Sequence, residues 1–243
     1  MYIIKLDAID STNRYLKDMA SVAIPEDYTV IVAEQQSAGR GQMGTKWDSE
    51  IGKNLTVSVF KKFGDFKIEN QFYISMAVSL AICKVLRSFK IPQLYIKWPN
   101  DILSASQKIC GILIENVIKN NRFKGSIIGF GLNINQKFFD DLPQASSMSL
   151  LTGIIYDKDE VLSKVLNELQ FYFNLLESQK YEEIKIQYEA LLFRKGKPST
   201  FKCSNNKTIS GIIQGISETG KLMVWTEDGS VKTFDLKEIT LLY

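Results

Sequence analysis

The chain has 243 residues, 45% hydrophobic and 23% charged, with 30 basic side chains against 27 acidic ones and a formal net charge of +3. That length can bury a substantial core, as one large domain plus a small one, while the near-balance of charge argues against an electrostatic grip on nucleic acid or on a membrane surface. There is no histidine, which excludes His-dependent triads and His-containing zinc sites; any chemistry must use carboxylates, lysines, arginines, backbone amides or the substrate's own groups.

No apolar run reaches the roughly 20 residues needed to span a bilayer. The first ten residues lack the charged start and long apolar stretch of a cleavable signal, so the default expectation is a cytoplasmic protein. Cys83, Cys110 and Cys203 are odd in number and far apart. They read as reduced thiols, two of them buried, without metal-ligand spacing.

In chain order, Tyr2–Leu6 reads as a short strand, and Asp10-Ser11-Thr12-Asn13 supplies N-cap candidates for a helix through Leu16, Met19 and Ala20 that ends before Pro25. Thr29–Ala33 is apolar and β-branched, a buried strand. Residues 36–49 are glycine-rich and polar, hence a loop; Leu55–Phe60 reads as a strand and Ile68–Phe89 as a long helix. Leu94–Lys97 is a strand ending at Pro99. Ile109–Val117 and Ser126–Ile134 form a second strand pair, with Asn120-Asn121 as the turn. Residues 159–193 read as helical up to Gly196-Lys197-Pro198. Beyond that point Thr200–Cys203, Thr208–Ile216, Leu222–Trp225 and Val231–Leu236 make a small β-barrel-like unit, expected to dock on the main domain.

Five segments carry chemistry. In Gly39-Arg40-Gly41-Gln42-Met43-Gly44 three glycines let backbone amides approach an anion, and Arg40 adds a forked cation; the plain alternative is a flexible surface loop. Trp47 at its end reads as a packing anchor. In Lys97-Trp98-Pro99-Asn100-Asp101, Lys97 suits phosphate charge and Asp101 a metal ion or a cation, against an ordinary Asx turn. Lys108 opens an apolar strand in which Gly111 marks a close backbone approach. Gly129 and Gly131 leave one sheet face bare for a flat ligand, with Asn133 and Asn135 expected on that same face by the two-residue period. Asp10, Ser11, Thr12 and Asn13 are good caps, and also adjacent hydrogen-bonding groups able to hold a small polar ring.

Taken in order, Asp-Ser-Thr-Asn at 10–13, Gly-Arg-Gly-x-x-Gly-x-x-Trp at 39–47, Lys-Trp-Pro-Asn-Asp at 97–101, Lys-x-x-Gly-Ile-Leu-Ile-Glu at 108–115 and Gly-x-Gly-x-Asn at 129–133 resemble the biotin–protein ligase family over essentially the whole chain. The resemblance implies an α+β fold: a mixed sheet flanked by helices, similar to class II synthetase cores, over residues 1–195, with a small SH3-like barrel over 196–243. It implies an ATP-dependent enzyme that forms biotinoyl-5'-AMP and passes biotin to a lysine of a biotin carboxyl carrier protein. A lipoate or octanoate ligase or transferase of the same fold is the alternative. Biotin-site residues are then Ser11, Thr12, Asn13, Gln36, Arg40, Gly41, Gln42, Lys108 and Gly111; Trp47, Asn100 and Asn133 belong to the ATP side; Arg40, Lys97, Asp101 and Lys108 carry the chemistry with Mg²⁺, whose ligands are left unassigned. The loop departs from the family pattern at Gln42, Met43 and Thr45, where many members carry further arginines. The chain starts at the catalytic domain, without the winged helix of the bifunctional members, so no operator binding is expected, and the assembly is expected to be a monomer or a homodimer.

Overall fold

The computed structural model describes residues 1–64, 66–119, 122–140 and 142–243. Strands β1 (Tyr2–Ile9), β2 (Thr29–Gln36), β3 (Leu55–Lys61), β4 (Leu94–Lys97), β5 (Asp101–Ser104), β6 (Gln107–Lys119) and β7 (Arg122–Leu132) form a seven-stranded sheet in the order β1-β2-β3-β7-β6-β5-β4. Only β1 and β2 run parallel, joined through helix α1 (Thr12–Val22); every other neighbour is antiparallel. The sheet is therefore mixed, and the architecture is α+β. The β6–β7 pair runs to Lys119 opposite Arg122; Asn120 and Asn121, expected to form its turn, lie outside the described residues.

Period-two alternation sorts the two faces. Val30, Val32, Val57, Val59, Ile128 and Phe130 face the main core, where helix α2 (Gln71–Ser88) buries most of its length. Helices α4 (Lys158–Glu177) and α5 (Tyr181–Ala190) pack against α2, and a short α3 spans Met148–Thr152. Ile31, Phe60 and Ile127 point to the opposite face and meet Leu16 of α1. Because α1 is only 11 residues long, it covers part of that face and leaves the rest open.

A second sheet of five antiparallel strands follows: β8 (Pro198–Cys203), β9 (Thr208–Ile216), β10 (Leu222–Thr226), β11 (Val231–Phe234) and β12 (Ile239–Leu242), in the order β11-β10-β9-β8-β12. It is seated on the first by specific contacts. The Trp98 indole donates to the Gly220 carbonyl at 2.9 Å, and Glu189 of α5 accepts from the Ile216 amide at 2.9 Å. A side chain at Gly220 would overlap the Phe72 ring, so the β9–β10 turn fits between two aromatic side chains of the larger unit.

Several elements differ from the sequence expectations. The helix expected through 159–193 is two helices, because Gln179 takes the left-handed conformation (φ 57°) that ends α4. The stretch after Pro99 turns back as β5 rather than remaining a turn, and β12 adds a strand where none was expected. Beyond Leu132 the strand stops: Asn135 holds the backbone of Tyr156 through both amide atoms and does not share a face with Gly129 and Gly131.

Cys83 and Cys110 are buried and Cys203 is partly accessible. Burial pushes the Cys83 thiol up to about 12, and Cys110 well above its ordinary range. A thiolate-selective alkylating reagent is therefore expected to label Cys203 alone in the folded protein. Peptide mapping of the labelled chain checks this; early labelling of Cys83 or Cys110 would contradict it.

Candidate active site

The open part of the α1 face is a row of small residues fixed by strand register. Thr56 of β3 pairs with Gly131 of β7, Gly131 with Gly111 of β6, Gly111 with Asp101 of β5, and Asp101 with Lys97 of β4. One cross-strand row thus runs from a hydroxyl across two bare glycines to a carboxylate and an ammonium. Residues that share such a row share a face, so three motifs far apart in sequence become neighbours.

A cavity of about 240 Å³ opens above this row. At one end lie Ser11, Thr12, Asn13 and Gln36, held by a closed polar network. Ser11 caps α1, accepting from the Arg14 amide. Thr12 and Asn13, in the first turn, point down to the sheet. The Gln36 carbonyl oxygen accepts from the Thr12 amide at 2.8 Å and lies 3.1 Å from its hydroxyl. The Ser58 hydroxyl sits 2.7 Å from the Thr12 hydroxyl and 2.6 Å from the Asn13 carbonyl oxygen. Asn13 donates to Glu115 at 3.0 Å, and Lys17 reaches the other Glu115 oxygen at 3.0 Å. Ser11 is the N-cap of α1, and Ser11, Thr12 and Asn13 of that one turn also line the cavity.

The Glu115 carboxyl is raised by burial, but bonds from Asn13 and Lys17 and the charges of Lys17 and Arg40 outweigh burial and hold it below its ordinary 4.5. A carboxyl lowered in the folded state adds stability that is present above its unfolded pKa and lost as pH falls through the folded one. Glu115→Gln should therefore be less stable than wild type near neutrality, with the gap closing at acid pH below the usual carboxylate range; denaturation midpoints across pH measure it, and a gap that widens on acidification would contradict the assignment.

At the other end stand the cations. The Lys108 ammonium lies 2.6 Å from one Asp101 oxygen, and Lys97 lies 4.0 Å from the other. Arg40, Gly41, Gln42, Asn100 and Gly111 complete this end of the cavity. Asn100 donates its amide to the Ile112 carbonyl at 2.7 Å, pinning the β4–β5 turn to β6.

The glycine loop is folded rather than extended. Gly41 donates to the Thr45 carbonyl at 2.7 Å, Trp47 to that of Gly39 at 3.0 Å, and Arg40 bridges Lys46. This arch lays the Trp47 indole on the glycine floor. A side chain at Gly131 would overlap the indole, and one at Gly111 would come within 2.9 Å of it. Trp47 thus anchors the loop by packing, as its residue type suggested. The bare face, expected to take a flat ligand directly, carries this indole over Gly131 and the Asn13 amide over Gly129. The indole N–H is buried and has no hydrogen-bond partner among the described residues.

Two expected site residues fall outside this cavity. Lys97 and Asn133 line a second chamber of about 320 Å³ that shares Lys46, Trp47, Asp101 and Lys108 with the first. Its outer wall is formed by Phe139, Leu142 and Gln144. Asn133 is buried and donates to the Ser146 carbonyl at 3.0 Å, so its amide holds this wall in place. Ser58 and Thr56 were not singled out from sequence, and Glu115 entered only as the end of a motif without a role; their signal was a polar residue on the inward period of an otherwise apolar strand. Among the described residues no group of three His, Cys, Asp or Glu side chains gathers to hold a metal. No helix among them is long and apolar enough to cross a membrane.

The assembly is an α+β scaffold in which one sheet face carries a polar grip at one end of a cleft, cations at the other, and a glycine loop as roof. Residues 6–133 match the Biotin/lipoate A/B protein ligase family and residues 200–239 the Biotin protein ligase C terminal domain; the chain belongs to the former family. It is 29% identical over 238 residues to the bifunctional ligase/repressor BirA of Escherichia coli (strain K12), covering 97% of this chain and 73% of that one. It is 27% identical over 215 residues to the biotin--[acetyl-CoA-carboxylase] ligase of Mycobacterium tuberculosis, covering 87% and 79%. The biotin protein ligase from Aquifex aeolicus, solved in complex with biotin and ATP, superposes with a TM-score of 0.82 at 27% identity, covering 99% of this chain and 98% of that one.

Proposed function

We propose that this chain is a biotin–protein ligase: it joins biotin to ATP as biotinoyl-5'-AMP, then transfers the biotinoyl group to a lysine of a biotin carboxyl carrier protein. One observation carries the reading. Ser11, Thr12, Asn13 and Gln36 share a single cavity with Arg40, Asp101 and Lys108, although these residues span almost a hundred positions of sequence. A polar head group at one end and an acid group at the other describe the substrate, and the second chamber behind Trp47 has room for a nucleoside. The match of residues 200–239 to a biotin ligase C-terminal domain favours biotin over lipoate. On this reading residues 1–195 are the catalytic unit and 196–243 the accessory one.

The chemistry requires no activated side-chain nucleophile, in keeping with the absence of histidine. Biotin's carboxylate is ionised at neutral pH. It attacks the α-phosphorus of ATP, forming a P–O bond while the bond to the β-phosphate breaks and pyrophosphate leaves. The work left to the protein is alignment and charge stabilisation, supplied by Lys108, Arg40 and Lys97. Asp101 fixes Lys108 at 2.6 Å. Mg²⁺ bound to the ATP phosphates would offset their charge, with Asp101 the carboxylate facing it from this cavity; among the described residues no group of three acidic side chains gathers to hold the ion. In the second step the acceptor amine attacks the acyl carbon, AMP leaves and the amine gives up a proton; Asp101 is positioned to orient that amine. The arch of residues 39–47 shields the mixed anhydride from water.

The test is transfer. With biotin, ATP and a carrier domain, intact-mass measurement should show one biotinoyl group on the acceptor lysine, and lipoate should not substitute. Transfer of lipoate at the rate of biotin would favour the lipoate branch of the family, and no ATP-dependent transfer of either would refute the proposal. Limited proteolysis within 36–48 should also slow when biotin and ATP are both present; equal cleavage with and without them would argue against a closing loop.

A further inference from the structure

We propose that Tyr243 is a positioning residue for the nucleotide step: its ring face confines the Lys97 ammonium in the chamber behind Trp47 and ties together that chamber's two walls. The inference rests on the reading of this chamber as the nucleotide's.

Among the described residues Lys97 has no ionic partner closer than 4.0 Å. Asp101 gives one oxygen to Lys108 at 2.6 Å, while Lys97 stands 4.0 Å from the other. A lysine with four rotatable bonds is not fixed by so long a contact. Its ammonium instead lies 4.7 Å from the centroid of the Tyr243 ring. The quadrupole of an aromatic ring attracts a cation over its face without neutralising it. Lys97 therefore stays fully available to a phosphate, which a short carboxylate pair would compete with.

The ring is itself held. It meets Phe193 edge-on at 5.2 Å, and Phe193 meets Tyr95 of β4 at 5.6 Å, the same strand that ends in Lys97. On the other side the Tyr243 main-chain oxygen accepts from the Gln144 side-chain amide at 3.1 Å. Gln144 belongs to the outer wall of the chamber, and Tyr243 lines that chamber too. Tyr243 directly follows β12, which is paired with β8. The small sheet thus reaches the phosphate-facing lysine through one aromatic side chain. Nothing in this arrangement touches the Ser11–Gln36 end of the first cavity, so the two substrates should respond differently to its loss.

The experiment compares wild type with Tyr243→Ala, Tyr243→Leu and Tyr243→Phe. Biotin-dependent ATP–pyrophosphate exchange gives KM for ATP and kcat; calorimetry without nucleotide gives Kd for biotin. The ring-face contact predicts a rise of roughly 5- to 30-fold in KM for ATP for both Ala and Leu. It predicts a smaller effect on kcat, an unchanged Kd for biotin, and rescue by Phe to within about twofold of wild type, because the face rather than the hydroxyl does the work. Leucine keeps the bulk of the residue and guards against a simple folding defect. Rescue by Leu as complete as by Phe would reduce Tyr243 to packing and overturn the proposal, as would an Ala variant with wild-type KM for ATP. Failure of the underlying functional reading looks different: wild type itself would then show no biotin-dependent exchange.

Discussion

Replacing Lys108 with alanine is expected to lower adenylate formation by about 10²–10³-fold, the cost of deleting one preorganised charge contact at a reacting centre. Lys108 opens β6, its ammonium is held at 2.6 Å by Asp101, and it lies 5.5 Å from the face of Trp47. It is therefore the cation shared by the polar cavity and the second chamber, where an acid on one side would meet a phosphate on the other. The side chain is about a third exposed, so its removal empties no core, and the fold should survive. Single-turnover formation of the adenylate is the direct measurement, with thermal unfolding as the control. Near-normal formation from a folded Lys108→Ala protein would remove Lys108 from the chemistry. Lys108→Arg is expected to recover only part of the activity, since a planar fork does not replace a compact ammonium.

Gly131→Ala is expected to cost about 100-fold in the same reaction, through displacement rather than through any lost contact; errors of about 1 Å in placing reacting groups have effects of that size. The added methyl would overlap the indole of Trp47. Beneath it the floor is sheet backbone, paired on both sides with Thr56 and Gly111, so the strand cannot yield. The indole must lift, and with it the arch that Gly39, Gly41 and Thr45 hold together. Tryptophan fluorescence should shift toward that of an exposed indole while overall stability changes little. A variant with wild-type activity and unchanged fluorescence would show that Trp47 does not need its seat on the glycine floor.

These two expectations mark where the sequence was legible. Glycine at 111 was readable as a close approach, glycine at 131 as a bare patch of sheet face, and Lys108 as a strand-edge cation. What could not be read was that register pairs 111 with 131 and then with Asp101, because pairing is a property of the assembled sheet. The occupant of the bare face was misjudged for the same reason: the loop's own Trp47 reaches it, and nothing in residues 129–133 announces that. Alternation also failed at Asn135, since a two-residue period holds only while the strand lasts, and the strand ends at Leu132. Gln179 stopped a helix without a glycine or proline to signal it. Asp101–Ser104 is too short a run to show a period of its own, so β5, which carries the site carboxylate, was hidden behind a turn. Lys97 and Asn133 line a chamber apart from the first cavity, and the division of the cleft into two chambers by one indole is tertiary.

Adenylate formation requires a vitamin carboxylate and a nucleotide α-phosphate to meet beside Lys108. The most direct test is to incubate the protein with biotin and ATP, in the absence of any acceptor, and to detect the product by native mass spectrometry. One biotinoyl-5'-AMP retained per chain, absent in Lys108→Ala and not formed from lipoate, is the predicted result. Binding of biotin and ATP side by side with no adenylate and no pyrophosphate released would contradict it.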